Sequence, residues 1–188
     1  MKTVKLIPFL LSLLFLTSCK KDPPIDSLPT EPIMPPLTHQ GLNTFGCYID
    51  GELFVAGGGD SYWDLPPING SFNEETKKLI IRATKYTKTE NDVSEYIDFR
   101  VFLTDELGEY NYWYNEEYGS DGYTNWGGGR CDYYFQTLPG LNLGKLTITY
   151  LNEEKNIISG TFYMNLVNND CEGDSLLKIT DGRFDFHY

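Results

Sequence analysis

The sequence has few basic residues and few cysteines for its length, and both shortages narrow the possible functions. It contains 15 Lys and Arg against 27 Asp and Glu in 188 residues, so its formal net charge is −12. Because nucleic-acid-binding surfaces need clustered Lys and Arg, this charge argues against a nucleic-acid partner. The 4 cysteines are too few for a disulfide-scaffolded protein of this size. No apolar run reaches the ~18–20 residues that a membrane-spanning helix needs.

Histidine is also scarce, and its positions argue against an active site or a metal site. The 2 histidines are His39 and His187, and neither lies near a nucleophile with an orienting acid. There is no Cys-x-x-Cys motif for zinc. The acidic segment 168–174 resembles the start of a calcium loop, but Ile179 stands where a glutamate is needed, so we interpret it as a solvated turn. We predict no cofactor, no metal and no enzymatic activity. An acidic hydrolase is the less favoured alternative, because 27 acids always contain candidate pairs.

Residues 1–18 are predicted to be a signal peptide. Lys2 and Lys5 precede an apolar run from Leu6 to Leu16, a pattern typical of secretory signals. The segment Leu-Thr-Ser-Cys that ends at Cys19 resembles the lipobox of bacterial lipoproteins. This resemblance implies cleavage before Cys19 and lipid attachment to its sulfur. The alternative is an ordinary signal peptide followed by a coincidental cysteine.

The predicted lipid gives the protein a membrane as its first partner. Two or more acyl chains anchor a protein stably to a bilayer. By resemblance to lipoprotein sorting rules, Lys20 and Lys21 lack the aspartate that retains lipoproteins in an inner membrane, which favours the outer membrane. The stretch Lys-Lys-Asp is not the acidic run of surface-exported lipoproteins. The periplasmic face is therefore preferred over the cell surface.

The remaining chain divides into a tether and one domain. Residues 19–43 hold six of the chain's 10 prolines, which favours an extended polyproline II conformation. From residue 44 to residue 188, short aromatic and β-branched runs alternate with turn residues. Such a pattern predicts about 9–10 strands in an all-β fold, either an antiparallel β-sandwich or a partly closed barrel.

Three turns are predicted with particular residues. Asp50-Gly51 lies between two apolar runs and indicates a two-residue hairpin. The polar segment 152–156 separates an alternating strand from a long apolar one. Asp181-Gly182 predicts a hairpin that closes the chain, and Arg183 beside it favours an ion pair with Asp181 or Asp185 over ligand binding.

Several of these segments together resemble a known family. They are the lipobox, residues 35–38, residues 43–47, Asp50-Gly51, residues 144–149, residues 156–162 and the terminal Ile-Thr-Asp-Gly-Arg-Phe-Asp of residues 179–185. They are similar to an uncharacterised family of Bacteroidota lipoproteins with a domain of unknown function. The resemblance implies an exported all-β lipoprotein. It implies no activity, substrate or catalytic residue.

Once Cys19 carries lipid, an odd number of cysteines remains. Cys47 shares a predicted strand face with apolar residues, which suits a small buried side chain. Cys131 opens a predicted strand and Cys171 lies in a predicted loop, so a Cys131–Cys171 disulfide is favoured. Pairings that involve Cys47 are the alternatives.

The most distinctive segment is residues 110–135, in which 10 of 26 residues are aromatic. Within it Trp113, Tyr118, Tyr123 and Trp126 lie among Asn, Asp, Ser and Gly, which predicts loops rather than strands. Aromatic side chains on such loops are typical of surfaces that stack sugar rings or bind a protein partner. The alternative is that the rings form the loop's own small core.

These features lead to one functional hypothesis and one alternative from another class. The first is a non-enzymatic, lipid-anchored envelope module that binds glycan or protein through the four aromatic residues. The alternative is a structural component of an outer-membrane complex, without a small ligand.

Overall fold

The computed structural model describes residues 32–58, 66–86, 94–103, 107–111, 121–126, 131–134, 140–167 and 176–188. In β8 and β9, defined below, it describes the side chains of Thr124 and Tyr133 alone. The regular structure in these residues consists of twelve β-strands: β1 Thr44–Ile49, β2 Glu52–Val55, β3 Gly57–Gly58, β4 Ile68–Asn73, β5 Lys78–Tyr86, β6 Ser94–Phe102, β7 Gly108–Asn111, β8 Asp121–Trp126, β9 Cys131–Tyr134, β10 Gly144–Asn152, β11 Ile157–Val167 and β12 Leu176–His187. The predicted all-β class is confirmed. No helix of the length and hydrophobicity needed to cross a membrane occurs among the described residues.

The strands form two antiparallel layers, which is the sandwich alternative of the prediction. In the first sheet the order is β2-β1-β12-β11-β10-β7. The second sheet has the order β4-β5-β6-β8-β9, and the short β3 runs parallel to β5 beside β4. A single pair, Val167 with Tyr134, connects β11 to β9. The two sheets are therefore joined at one corner beyond the start of β10.

The core lies between the two sheets and is rich in phenylalanine. Phe99 of the second sheet and Phe162 of the first have ring centroids 5.3 Å apart. Phe162 in turn lies 5.1 Å from Phe45 and 6.4 Å from Phe184. Aromatic pairs at these separations add about 0.5–1.5 kcal/mol to the stabilisation from their buried area. Part of the high aromatic content of the sequence therefore belongs to the buried core and not to the surface.

Two of the predicted turns are confirmed. Ile49 pairs with Glu52, so Asp50 and Gly51 form the two-residue turn of the β1–β2 hairpin. Their φ angles are 47° and 88°, as a type I′ turn requires at both central positions. The segment 153–156 connects β10 to β11.

The predicted terminal hairpin is wrong, because residues 176–187 form one continuous strand. Between the partners of Gly46 and Tyr48, β12 holds two residues where β1 holds one. The extra residue is a β-bulge at Asp181-Gly182, with Asp181 at a φ of 51°. An Asp-Gly pair provides the left-handed conformation for either a turn or a bulge. Neighbouring strands on both sides hold β12 straight here.

Besides the two-residue β3, two strands were absent from the prediction. β4 contains Asn69-Gly70-Ser71, which alone indicates a turn, yet it pairs with β5 along six residues. β8 contains Tyr123 and Trp126, which the sequence assigned to loops, yet it lies between β6 and β9. In both strands, pairing with a neighbour overrides a weak local preference.

Residues 32–43, here called the strap, were assigned to the tether by the sequence. They belong to the same unit as the strands, which extends from Pro32 to Tyr188. The strap lies on the outer face of the first sheet. The Arg183 guanidinium donates to the Pro35 carbonyl over 3.3 Å, and the His39 ring stacks on Tyr150 with centroids 4.9 Å apart.

Candidate functional site

The four predicted ligand-binding aromatics fall in different places. Trp113 and Tyr118 lie outside the described residues. Tyr123 and Trp126 belong to β8, where the backbone of Tyr123 is in register with Asp98 and with Tyr134. Their predicted role in binding stays a prediction, but the register shows which part of the fold surrounds Tyr123.

The backbone of Tyr123 is in register with Asp98, a residue of the outer face of the second sheet. Along β5 the residues Leu79, Ile81 and Ala83 are fully buried in the core. Because side chains alternate along a strand, the intervening residues lie on the opposite face. This second-sheet face consists of the following residues of β5 and β6: Lys78, Ile80, Arg82, Thr84, Tyr86, Tyr96, Asp98, Arg100 and Phe102.

An ion pair lies at the centre of the second-sheet face. Arg82 and Asp98 are directly opposite in the register of β5 and β6. Both Nε and Nη2 of Arg82 donate to Oδ2 of Asp98, the first over 2.8 Å. The Arg82 side chain is 56% exposed, whereas that of Asp98 is 9% exposed. The carboxylate is therefore held in place while the guanidinium stays accessible.

Aromatic rings support the cations of this face. The Arg82 guanidinium carbon lies 5.9 Å from the centroid of the Tyr96 ring, and Lys78 Nζ lies 5.5 Å from that of Phe102. Such cation–π contacts contribute about 0.5–1 kcal/mol at exposed positions. They also restrict the long side chains, so less conformational entropy is lost when a ligand binds.

A shallow groove of about 260 Å³ runs across the face. It is lined by Asn69, Lys78, Ile80, Arg82, Asp98 and Arg100. Within the described part of the chain, Oδ1 of Asp98 has no hydrogen-bond donor, because both bonds from Arg82 end on Oδ2. The groove therefore offers an exposed guanidinium, a carboxylate oxygen and an amide side chain next to aromatic rings. Those groups match a ligand with many hydroxyls, which both donate and accept hydrogen bonds.

The sequence did not identify Arg82 or Asp98. Arg82 lies in an apolar run and Asp98 in an alternating one, and each resembles the solvent-facing position of a half-buried strand. Their pairing depends on the β5–β6 register, which joins residues 16 positions apart. The only local signal was that charges interrupt two otherwise apolar strands.

A second carboxylate lies on the outer face of the other sheet, and it is enclosed instead. Asp185 is 1% exposed although it points away from the core. It accepts hydrogen bonds from the Thr38 and Ser159 hydroxyls and from the backbone N–H groups of Gln40, Gly41 and Leu42. The strap contributes four of these five donors.

The hydrogen bonds around Asp185 lower its pKa. Burial tends to raise the pKa of Asp185, but the hydrogen bonds to its carboxylate outweigh burial and hold the pKa below its usual value.

Among the described residues, neither Asp181 nor Asp185 forms an ion pair with Arg183, so the ion pair that the sequence predicted at the end of the chain is wrong. The physical reason is that the strap supplies enough donors to satisfy Asp185 without a cation.

Of the predictions for the cysteines, the structure tests the one for Cys47. Cys47 is a free thiol with no exposed surface, as its apolar neighbours predicted, and burial raises its pKa. Cys131 is the first residue of β9, and Cys171 lies outside the described residues. The Cys131–Cys171 disulfide stays a prediction, as does lipid attachment to Cys19, which also lies outside them.

In the described part of the chain, no three His, Cys, Asp or Glu side chains come together as a metal site would require. Comparisons with protein-family models, with curated proteins and with solved structures found no match for this chain.

Proposed function

We propose that this chain is a lipid-anchored protein of the outer membrane that binds glycan through the second-sheet face and catalyses no reaction. One observation carries the proposal. The register of β6 and β8 brings Tyr123, selected from the sequence as an aromatic contact, level with Asp98 and its partner Arg82. Aromatic and polar groups of the kind that sugars need therefore belong to one region of the fold.

The roles in binding follow from the chemistry of the groups. The ring of Tyr123 would stack on the C–H face of a sugar. The free N–H groups of Arg82 and Oδ1 of Asp98 would bind neighbouring hydroxyls, one donating and the other accepting. Hydrogen bonds to charged groups are worth about 1.5–3 kcal/mol each, so this pair can supply most of the affinity for a short glycan.

The proposed location rests on the N-terminal segment. The apolar run before Cys19 and the lipobox-like residues support lipid attachment, and the presence of Lys20 and Lys21 instead of Asp directly after Cys19 supports the outer membrane. Treatment of intact cells with a protease tests which face the protein occupies. We expect the protein to be protected, and digestion would place it on the cell surface.

Affinity electrophoresis of the purified full chain in gels that contain plant polysaccharides or mucin glycans tests binding. At least one glycan should retard the chain. Arg82→Ala and Tyr123→Ala should each weaken this binding by about tenfold, which corresponds to the loss of ~1.4 kcal/mol. The matched control is Lys155→Ala, an exposed cation in the turn between β10 and β11.

The control defines the contradicting result. Equal loss of binding in Lys155→Ala and in the Arg82 and Tyr123 variants would remove the assignment to this face. If no glycan binds and crosslinking in cells captures one recurrent envelope protein, the chain is a structural component and the proposal is wrong.

A further inference from the structure

We infer that the outer face of the first sheet holds a second binding site, for the carboxylate of an acidic sugar, centred on Arg183. A groove of about 390 Å³ lies beside the strap on this face. Its lining includes Lys145, Thr147, Thr161, Tyr163, Thr180 and Arg183. The two grooves lie on opposite outer faces of the sandwich, so this inference does not depend on the proposed function.

The register explains how the groove is formed. Thr147, Thr161 and Arg183 form one row across β10, β11 and β12. Lys145 and Tyr163 form the next row, and beyond Tyr163 the bulge of β12 places Thr180 and Asp181 where one residue would otherwise lie. The bulge therefore interrupts the regular packing of side chains on this face and leaves room for a ligand.

Arg183 has donors available for that ligand. A guanidinium carries five N–H groups in a planar fork that matches a carboxylate. Within the described part of the chain, its one hydrogen bond is the 3.3 Å contact from Nη1 to the Pro35 carbonyl, and no carboxylate lies within ion-pair distance. Asp185, its neighbour on the strand, is fully engaged by the strap and Ser159.

The other groups of the groove indicate which kind of anion fits. Lys145 is paired with Glu109 at 2.9 Å, and Asp181 is a further carboxylate in the lining, so Arg183 is the cation that is left for a ligand. Three threonines share the lining with it, as does Tyr163, whose hydroxyl accepts a hydrogen bond from Asn142 over 3.1 Å. A ligand with one carboxylate and several hydroxyls, as in a uronic acid, uses both kinds of group. A highly charged phosphate would be repelled by Asp181 and Glu109.

Isothermal titration of the full chain with galacturonic acid, which carries one carboxylate, tests this site, with neutral galactose and inorganic sulfate as separate probes. The galacturonate should bind, the affinity should fall with added salt, and Arg183→Gln should weaken it by about tenfold or more. Arg183→Lys should restore only part of the affinity, because it keeps the charge without the fork. Galactose and sulfate should bind much more weakly.

Two further variants separate the outcomes. Arg183 also contacts the strap, so Thr161→Val, which removes only a hydroxyl from the groove, should reduce galacturonate affinity in a chain whose urea midpoint is unchanged. Lys155→Gln, outside the groove on the same sheet, should have no effect. Unchanged binding in Arg183→Gln, or equal binding of sulfate alone, overturns the inference. Binding that is lost in Arg82→Ala but kept in Arg183→Gln also overturns it, while leaving the proposed function intact.

Discussion

The two outer faces of the sandwich each carry an aspartate that the strand would normally expose to solvent, and they satisfy it in different ways. Asp185 on the first sheet is enclosed by the strap and receives neutral donors. Asp98 on the second sheet forms an ion pair with Arg82, whose side chain remains more than half exposed. Backbone N–H groups that close over a carboxylate leave no room for a ligand. An exposed guanidinium leaves the carboxylate and its own remaining N–H groups accessible to one. The comparison supports a structural role for Asp185 and is consistent with the proposed recognition role of Asp98.

The largest expected effect is that of Asp185→Ala on stability. The substitution leaves three backbone N–H groups of the strap and two hydroxyls without their acceptor. Unsatisfied buried donors cost about 1–3 kcal/mol each, but the strap can detach and return its donors to water, which limits the total. We therefore expect a loss of about 3 kcal/mol in the free energy of unfolding, measured by urea denaturation.

Amide hydrogen exchange distinguishes this mechanism from a general loss of stability. In Asp185→Ala the amides of Gln40, Gly41 and Leu42 should exchange faster than those of the central strands. If the strap amides keep their protection, the carboxylate does not hold the strap in place.

A smaller effect is expected for Gly41→Ala, in the middle of the strap. Gly41 has a φ of 68°, and a Cβ there would lie 2.4 Å from Nε2 of His187. The matched control is Gly51→Ala, which has a φ of 88° in the β1–β2 turn and no atom within 4 Å of its Cβ position. Both variants bear the strain of positive φ, about 1 kcal/mol. Gly41→Ala should lose about 1 kcal/mol more from the clash, and equal losses would mean that the strap moves freely away from His187.

The strap is also the feature that the sequence predicted least well. Its prolines indicate an extended chain, and nothing local to Thr38 or Gly41 identifies a partner 147 or 144 residues away. By contrast, the β1–β2 hairpin was predictable, because the turn depends on the two residues that form it, Asp50 and Gly51, and both adopt positive φ readily. Local turn chemistry can be read from neighbouring residues, whereas docking of one segment on a distant strand depends on the completed fold.

The same distinction applies to the candidate site. Tyr123 was selected from the sequence for its residue type, but it was assigned to a loop because its neighbours are polar. Arg82 and Asp98 were missed, because a charge on the outer side of a strand has no distinguishing mark until the register places its partner opposite. Residue type alone thus selected Tyr123 as a candidate for ligand contact. Only the strand register showed that Arg82 and Asp98 lie at the same level of the sheet.

Acid should reduce the contribution of Asp185 to the stability of the fold. The pKa of Asp185 is lower in the folded protein than in the unfolded chain, so its contribution to stability is complete above the unfolded value of about 3.9 and is lost as pH falls through the folded pKa. Urea midpoints measured from pH 6 down to about pH 2.5 should therefore fall less steeply in Asp185→Ala than in the original chain. Parallel curves for the two proteins would show that Asp185 does not titrate with a lowered pKa.

The smallest expected effect on stability is that of Asp98→Ala. Its partner Arg82 is 56% exposed, so the guanidinium regains water when the carboxylate is removed, and no buried donor is left unsatisfied. Pairs with one exposed partner contribute about 1 kcal/mol or less, and the urea midpoint should change little. Glycan binding should fall by about tenfold in the same variant, because the acceptor for a sugar hydroxyl is gone and Arg82 is no longer held in place. A loss of stability as large as that of Asp185→Ala would show that both carboxylates are structural, and the distinction between an enclosed face and a recognition face would then be wrong.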